Sequence, residues 1–498
     1  MNKKLDDFLG FIKGRKAAVI GVGISNRPLI CWLCKNGAEV MAFDKLSDED
    51  PSIIKTKADF KKLGIDIKWS LGDSYLEPLK NETFDIVFKT PKMRFETEEL
   101  QTAKSKGAVL TSEMELFMDL CPAKIYAVTG SDGKTTTTTL VSEILKKGGY
   151  NVHLGGNIGT PLLDRIETIT ETDKVVLELS SFQLLGMRRS ADVAIVTNIT
   201  PNHLDFHKDY DEYINAKKNV FLSQGPCGRV ILNAGCDLTY KMKDEARGRV
   251  SFFSRDIENI KSKIPEGFVS AYIDQEGILT LESDGKKTAI IDEKEIFIPG
   301  KHNAENFLAA ILATYEDVSV EDIVSVAKTF PGVPHRIEFI REIKGARWYN
   351  SSIDTSPNRT MNTMLALKAR GEKGILICGG ADKKCDYTGL GDAILDVCDR
   401  IIIYGSNYPF VRNILEKEAK GRTYDLIRIE DDPADVYEFP DKRQNVIDAF
   451  DKIIEKAIEL SKPGEIVIMS SIGTSYDHFR HFEHRGDMFK ELVNNVKA

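Results

Sequence analysis

The sequence predicts an α/β protein of three domains, and three observations carry that prediction. Short apolar runs recur along the chain and alternate with amphipathic helical stretches, the pattern of parallel sheets with helical crossovers. Two of these runs stop at glycine-bracketed turns that lead directly into helices, at Gly21–Gly23 and at Gly130–Gly133. The chain has 498 residues, too many for one core when a domain takes about 100–200. The expected domains are residues 1–119, 120–331 and 332–498.

Composition narrows the class. Hydrophobic residues make up 42% and charged residues 29%, ordinary values for a globular protein in water. A formal net charge of −8 argues against nucleic acid as a partner, although a local cationic site still suffices for a small anion. The N-terminus, Met-Asn-Lys-Lys-Leu-Asp-Asp-Phe-Leu, lacks the apolar centre of a signal peptide. No apolar run reaches the ~18 residues of a membrane span, so a cytoplasmic protein with no membrane partner is expected. Eight scattered cysteines fit reduced thiols. Cys31 and Cys34 form a C-x-x-C with no second pair to complete a zinc site, and they read as buried thiols on a helix.

In the first segment, Lys16–Gly21 reads as a strand, followed by a Gly-rich turn and a helix through Leu33. The next strand, Glu39–Asp44, ends in an acid about 20 residues beyond the glycines, the layout of a dinucleotide-type fold. Asp44 is placed to accept a hydrogen bond from a ribose or base. The third glycine of that fingerprint is replaced by Asn26. Further short strands are expected at Asp66–Trp69, Asp85–Phe88 and Ala108–Leu110. A dehydrogenase reading leaves the second glycine turn unexplained, whereas a domain gripping another nucleotide diphosphate accommodates both turns.

That second turn is Thr129-Gly-Ser-Asp-Gly-Lys-Thr135, followed by Thr136 and an amphipathic helix. Small residues let backbone N–H groups turn onto phosphate oxygens at a helix N-terminus. Gly130, Ser131, Asp132 and Gly133 would form the cradle, Lys134 would neutralise terminal phosphates, and Thr135 would reach a magnesium ion. The first glycine of the usual eight-residue loop is Val128 here. Lys174–Gln183 reads as a strand with Glu178 near its end, and an acid there commonly meets magnesium. Asp192–Asn198 is another strand, leading to His203, and a helix from Tyr210 carries Lys217. Short alternating runs from Ser251 to Ile298 read as β-hairpins.

The last segment repeats the alternation, with strands expected at Arg347–Asn350, Gly374–Gly380, Arg400–Tyr404, Tyr424–Arg428 and Glu465–Met469 and a helix over Val446–Ser461. A second parallel α/β domain follows. His478, His481 and His484 are expected to share an exposed helical face.

Several stretches, in order along nearly the whole chain, resemble the Mur ligases. They are the loop at 129–135, Gly-Gly-Asn-Ile-Gly at 155–159, Leu-Glu-Leu-Ser-Ser-Phe-Gln at 177–183, Asn-His-Leu-Asp-Phe-His at 202–207 and Ala216-Lys217. Gly-Lys-His-Asn-Ala-Glu-Asn at 300–306, Gly332 to Arg336 and Ser475 to Gly486 continue the series. The resemblance is strongest to the branch that adds D-glutamate to UDP-N-acetylmuramoyl-L-alanine in peptidoglycan synthesis. It implies a Rossmann-like nucleotide-sugar domain, a central P-loop ATPase-like domain and a C-terminal Rossmann-like domain that binds the amino acid. ATP would activate the acid as an acyl phosphate with two Mg²⁺ ions in attendance.

By that resemblance, Lys134, Glu178, His203 and Lys217 are catalytic, and Thr135, Glu178, His203 and Lys217 hold metal, with Lys217 carrying a CO₂-derived carbamate. Asn157 and Asn306 would lie around the adenine, and Arg336 would contact ATP. Gly23, Ile24, Ser25, Asp44 and Lys45 match the UDP-sugar site, and Thr355, Lys383, Ser475 and Phe482 match the D-glutamate site. A monomer is expected. The chain departs from the family pattern at Ser351, where an acid is usual and Asp354 is the nearest replacement, and at Lys92, where glycine is usual. It also departs in the loop from Met469 to Ser475. Another amine such as L-glutamate, or a nucleotide-binding protein without turnover, stays open at this point.

Overall fold

The structure, a computed structural model, describes residues 2–201, 206–298, 300–382, 386–430 and 443–497. Three sheets organise these residues. The first contains β1 (Lys16–Ile20), β2 (Glu39–Asp44), β3 (Lys68–Leu71), β4 (Ile86–Phe88) and β5 (Val109–Thr111), in the order β3-β2-β1-β4-β5. All its pairings are parallel. Its central strand is apolar on both faces because helices cover both sides, and Ala17, Ala18, Val19 and Ile20 are all buried.

The second sheet is built from β6 (Lys124–Thr129), β7 (Val152–Gly156), β8 (Lys174–Glu178), β9 (Val193–Val196), β10 (Arg229–Asn233), β11 (Arg249–Ser254), β12 (Val269–Ile273), β13 (Ile278–Ser283) and β14 (Lys286–Asp292). The strand order is β14-β13-β12-β11-β10-β9-β6-β8-β7. Two helices, α1 (Lys134–Lys147) and α2 (Lys301–Thr314), pack into one apolar cluster with the sheet through Leu140, Ile144, Phe307 and Ile311. The hairpin reading of 251–298 needs correction. β11 runs parallel to both β10 and β12, and only β12-β13-β14 is antiparallel. Alternating side chains have the same period of two in either ladder, so the pattern could not separate them.

The third sheet holds β15 (Glu338–Ile343), β16 (Ala346–Ser351), β17 (Gly374–Gly379), β18 (Cys398–Tyr404), β19 (Asp425–Arg428) and β20 (Ile466–Ile472) in the order β15-β16-β20-β17-β18-β19. β15 and β16 form an antiparallel hairpin, with Lys344 and Gly345 both at positive φ in its turn. The remaining pairings are parallel. The chain divides into two compact units, Met1–Phe330 and Pro331–Ala498. The first unit contains two of the sheets, joined by an apolar cluster that runs from Val19 and Leu29 through Phe117 to Leu163, Val175 and Tyr213.

Candidate active site

β6 delivers the chain into the phosphate-type loop, and the neighbouring strand end shapes it. Gly130 has φ +144, and a Cβ there would stand 1.9 Å from the Thr197 hydroxyl. The N–H of Ser131 donates to the Asn198 carbonyl (2.9 Å) and that of Asp132 to Asn198 Oδ1 (2.8 Å). Gly133, at φ +75, closes the turn, and its missing Cβ leaves room for Asn306 Oδ1, which would be 2.5 Å away. α1 then opens at Lys134 with no side chain capping it. Its first-turn N–H groups lack helical acceptors and carry the positive end of the helix dipole, which is what an anion needs.

The loop side chains have divided duties. Ser131 is buried, with its hydroxyl bonded to the Thr200 backbone and 2.9 Å from the Tyr213 hydroxyl, so it holds the loop in shape. Asp132 is exposed, and Lys134 Nζ donates to the Ser131 carbonyl at 2.7 Å. Thr135 Oγ1 donates to Glu178 Oε2 at 2.7 Å. Glu178, at the end of β8, is 1% exposed, and its other oxygen accepts from Asn157 Nδ2 at 2.7 Å. Asn157 follows the edge strand β7, whose last residue, Gly156, lies against the Glu178 carbonyl. Asn306 accepts from Thr137 Oγ1 at 3.2 Å and lies beneath Gly133. Both asparagines therefore sit on the phosphate loop and its carboxylate.

Lys217 comes from α3 (Tyr210–Lys218), whose N-cap Asp209 accepts from the Glu212 N–H. It is 2% exposed, donates to the Gly130 carbonyl at 2.7 Å and lies 4.6 Å from the centre of the Tyr213 ring. Burial, helped by the Lys134 charge and opposed by Glu178 and Asp132, pushes its ammonium pKa down to about 7. The Thr135 hydroxyl beside a carboxylate is a hard-oxygen pair of the kind Mg²⁺ takes. Among the described residues no group of three or more His, Cys, Asp or Glu forms a ready-made metal site, and His203 lies outside the described residues. His207, from the same motif, is buried with Nε2 3.0 Å from Ser181 Oγ, and burial lowers its pKa.

In the first sheet, Gly23, Ile24, Ser25, Asp44 and Lys45 line a cleft of about 520 Å³ together with Tyr75, Thr90 and Pro91. Asp44 braces this turn, accepting from the N–H groups of Val22 (2.7 Å) and Leu46 (3.1 Å). Asn26 explains how the turn works without its third glycine. It is buried, and its amide donates to the carbonyls of Ile20 (3.0 Å) and Gly21 (2.8 Å).

The second unit supplies Arg336, Thr355, Ser475 and Phe482, while Lys383 lies outside the described residues. Arg336 is exposed between His335 (φ +62) and Ile337 (φ +45). A β-branched residue in the left-handed region stores strain, a recurrent mark of functional loops. The Phe482 ring meets His335 edge-on at 6.1 Å, and Ser475 is 2% exposed just beyond β20. Asp354, the acid nearest to Ser351 in the chain, does not face solvent. It is buried, accepts from Thr363 and Ser470 at 2.8 Å each, and burial raises its carboxyl pKa. Nor do the three histidines share an exposed helical face. The helix opens only at Phe482, His481 is its N-cap, and His478 is buried beside Asp477.

Fold and loop together define an α/β nucleotide-binding enzyme scaffold of the phosphate-loop type. Residues 128–314 match the Mur ligase middle domain family. The whole chain is 44% identical, over the full length of both proteins, to the UDP-N-acetylmuramoylalanine–D-glutamate ligase of Acetivibrio thermocellus. It is 43% identical over full length to those of Ruminiclostridium cellulolyticum and Clostridium novyi. The chain belongs to the Mur ligase family. Among solved structures, the fold resembles a UDP-N-acetylmuramate–alanine ligase from Thermotoga maritima. That match has TM-score 0.52 and 18% identity, covering 97% of this chain and 100% of that one. A UDP-N-acetylmuramoyl-L-alanyl-D-glutamate–2,6-diaminopimelate ligase matches with TM-score 0.51 and 17% identity, over 83% and 93%.

Sequence reasoning passed over Thr197 and Asn198 as loop-shaping residues and Tyr213 as a neighbour of both Ser131 and Lys217. Their only signal is position, at a strand end and on a helix face, which acquires meaning once those elements are placed beside the loop.

Proposed function

We propose that the chain is an ATP-dependent acid–amino-acid ligase that adds D-glutamate to UDP-N-acetylmuramoyl-L-alanine, acting as a cytoplasmic monomer in peptidoglycan synthesis. The observation that carries this reading is the convergence of Lys134, Thr135, Glu178 and buried Lys217 on one loop, in a chain that aligns end to end with ligases of that name.

A carboxylate cannot acylate an amine directly because oxide is too poor a leaving group. In the proposed reaction the alanyl carboxylate oxygen attacks the γ-phosphorus of ATP and ADP departs. The amine of D-glutamate then attacks the acyl carbon, the C–O bond breaks, phosphate leaves and the nitrogen gives up a proton. The free first-turn N–H groups of α1 and the Lys134 ammonium hold the phosphates, with Asn157 and Asn306 completing this side of the nucleotide site. When bound, Mg²⁺ offsets charge on the transferring phosphoryl group. Thr135, Glu178, His203 and Lys217 would hold it.

Lys217 fits carbamylation because an amine with pKa near 7 is about half unprotonated at neutral pH, where an ordinary lysine is almost wholly charged. The free amine adds to CO₂, an N–C bond forms, and a proton leaves nitrogen. The product supplies an oxygen ligand where an ammonium could supply none. Residues 1–119, through Gly23, Ile24, Ser25, Asp44 and Lys45, take the sugar nucleotide. Residues 120–331 take ATP, and residues 332–498 take D-glutamate through Thr355, Lys383, Ser475 and Phe482.

The test is ADP release with UDP-N-acetylmuramoyl-L-alanine and each amino acid in turn. Release with D-glutamate is expected. Release only with another amine reassigns the substrate, and no release with any amine removes the ligase reading.

A further inference from the structure

A segment leaving β4 links the sugar-nucleotide cleft to the helix of Lys217. Thr90 lines the cleft, and its side chain stands 3.3 Å from where a Gly21 Cβ would be. Four residues on, Arg94 makes a two-pronged pair with Glu212. One prong spans 3.0 Å between Nη1 and Oε2, and the other joins Nη2 to Oε1. Glu212 lies in the first turn of α3, five residues before Lys217. Its Oε2 also accepts from the Lys208 N–H (2.9 Å) and lies 3.4 Å from His207 Nδ1.

Aromatic packing seats the same segment from both sides. Phe95 fills the space where a Gly186 Cβ would come within 2.5 Å of its ring. The Arg94 guanidinium lies 6.0 Å from the Phe206 ring centre, and Lys92 Nζ 5.4 Å from that of Phe182. The Phe182 ring stacks on His207 at 5.8 Å.

We propose that Arg94 and Glu212 are positioning residues for the ligase reaction, fixing the Lys217 helix and coupling it to occupation of the sugar-nucleotide cleft. This rests on the function proposed above. A two-pronged Arg–carboxylate pair fixes direction as well as distance. These side chains are only 24% and 18% exposed, unlike the flexible surface pairs that contribute little. Arg94 holds the Glu212 carboxyl down to about 2, so the pair is ionised throughout the working pH range. A displacement of about 1 Å at a catalytic group lowers rate by about 100-fold, so an anchor five residues from Lys217 acts on turnover as well as on stability.

The experiment compares Arg94→Gln, Glu212→Gln and the exchanged double variant R94E/E212R with the unaltered chain. The readouts are kcat, KM for each substrate, the ¹³C signal of the Lys217 carbamate in labelled bicarbonate, and melting temperature. Each single variant is expected to lower kcat about 10- to 100-fold and to raise KM for the sugar nucleotide more than for ATP. The carbamate signal should weaken, and added bicarbonate should restore part of the rate. The exchanged pair should regain part of what either single change loses.

Unchanged kcat and carbamate signal in both single variants overturn the proposal. So does a rate loss that follows melting temperature and ignores bicarbonate. If the unaltered chain releases no ADP with D-glutamate, the function reading fails, and the carbamate signal alone decides the positioning claim. A weakened signal in Arg94→Gln upholds it and an equal signal overturns it.

Discussion

At the residue scale, Lys217 links burial to chemistry. Its ammonium is held near 7 in the folded chain by burial and by Lys134, against about 10.4 when unfolded. Between those values the unfolded chain binds the extra proton, so this residue makes stability rise with pH from about 7 to about 10, and below that window its destabilising effect is complete and constant. In bicarbonate-free buffer, the stability of the unaltered chain relative to Lys217→Met should grow by about 2 kcal/mol between pH 7 and pH 9. Denaturant titrations at the two pH values measure this, and parallel pH profiles would refute it. Gly133→Ala tests the loop. The new methyl meets Asn306 Oδ1 at 2.5 Å from a φ of +75, so a loss of about 1–3 kcal/mol is expected. Thermal unfolding should show it, accompanied by weakened ATP binding in a nucleotide titration.

The side chains with chemistry of their own could be picked out along the chain. Lys134 and Thr135 follow a glycine turn, Glu178 closes an apolar run, and Lys217 follows a tyrosine-rich helix start. Which partner meets which of them could not be read. The hydroxyl that shapes Gly130 is Thr197, and the side chain beneath Gly133 is Asn306, each far along the chain. Asp354 shows the same limit. Nearness to Ser351 in sequence suggested a substitute acid, yet Ser470 and Thr363 draw its carboxylate inward.

At the scale of elements, α3 is the piece on which the site depends most. It has nine residues, too few to be stable alone, and is held by its Asp209 cap, by Tyr213 and Ala216 in the core, and by the Arg94–Glu212 pair. Asp209→Ala removes the acceptor for the Glu212 N–H and should lower stability by about 1 kcal/mol. Since the first turn of the helix steadies Lys217, kcat should fall several-fold while KM for ATP changes little. Steady-state kinetics beside a melting curve check both. The strands were legible because continuous apolar runs mark parallel strands covered on both faces. The direction of β11 was not legible, because its ladder depends on the chain returning through the helix Ile257–Lys263 rather than through a tight turn.

At the scale of the molecule, the units Met1–Phe330 and Pro331–Ala498 have separate cores. Calorimetry should resolve two unfolding transitions. A non-hydrolysable ATP analogue with Mg²⁺, at about 100 times its Kd, adds about 2.7 kcal/mol to the unit that binds it. The transition of the larger unit, which holds the loop, Glu178 and Lys217, should move upward. A shift confined to the smaller transition would contradict the placement of the nucleotide.

The sequence by itself determined the alternation of strands and helices, the two glycine turns and the residue types for phosphate and metal chemistry. These are local properties, set by backbone freedom at glycine and by the spacing of apolar side chains. Only the tertiary structure decided that Asn26 stands in for a glycine, that Ser131 braces the loop, that Asn157 and Asn306 support the carboxylate and the turn, and that Arg94 reaches Glu212. Each of these is a contact between elements, fixed by how sheets and helices pack. No periodicity along the chain records which polar atom will be left facing which.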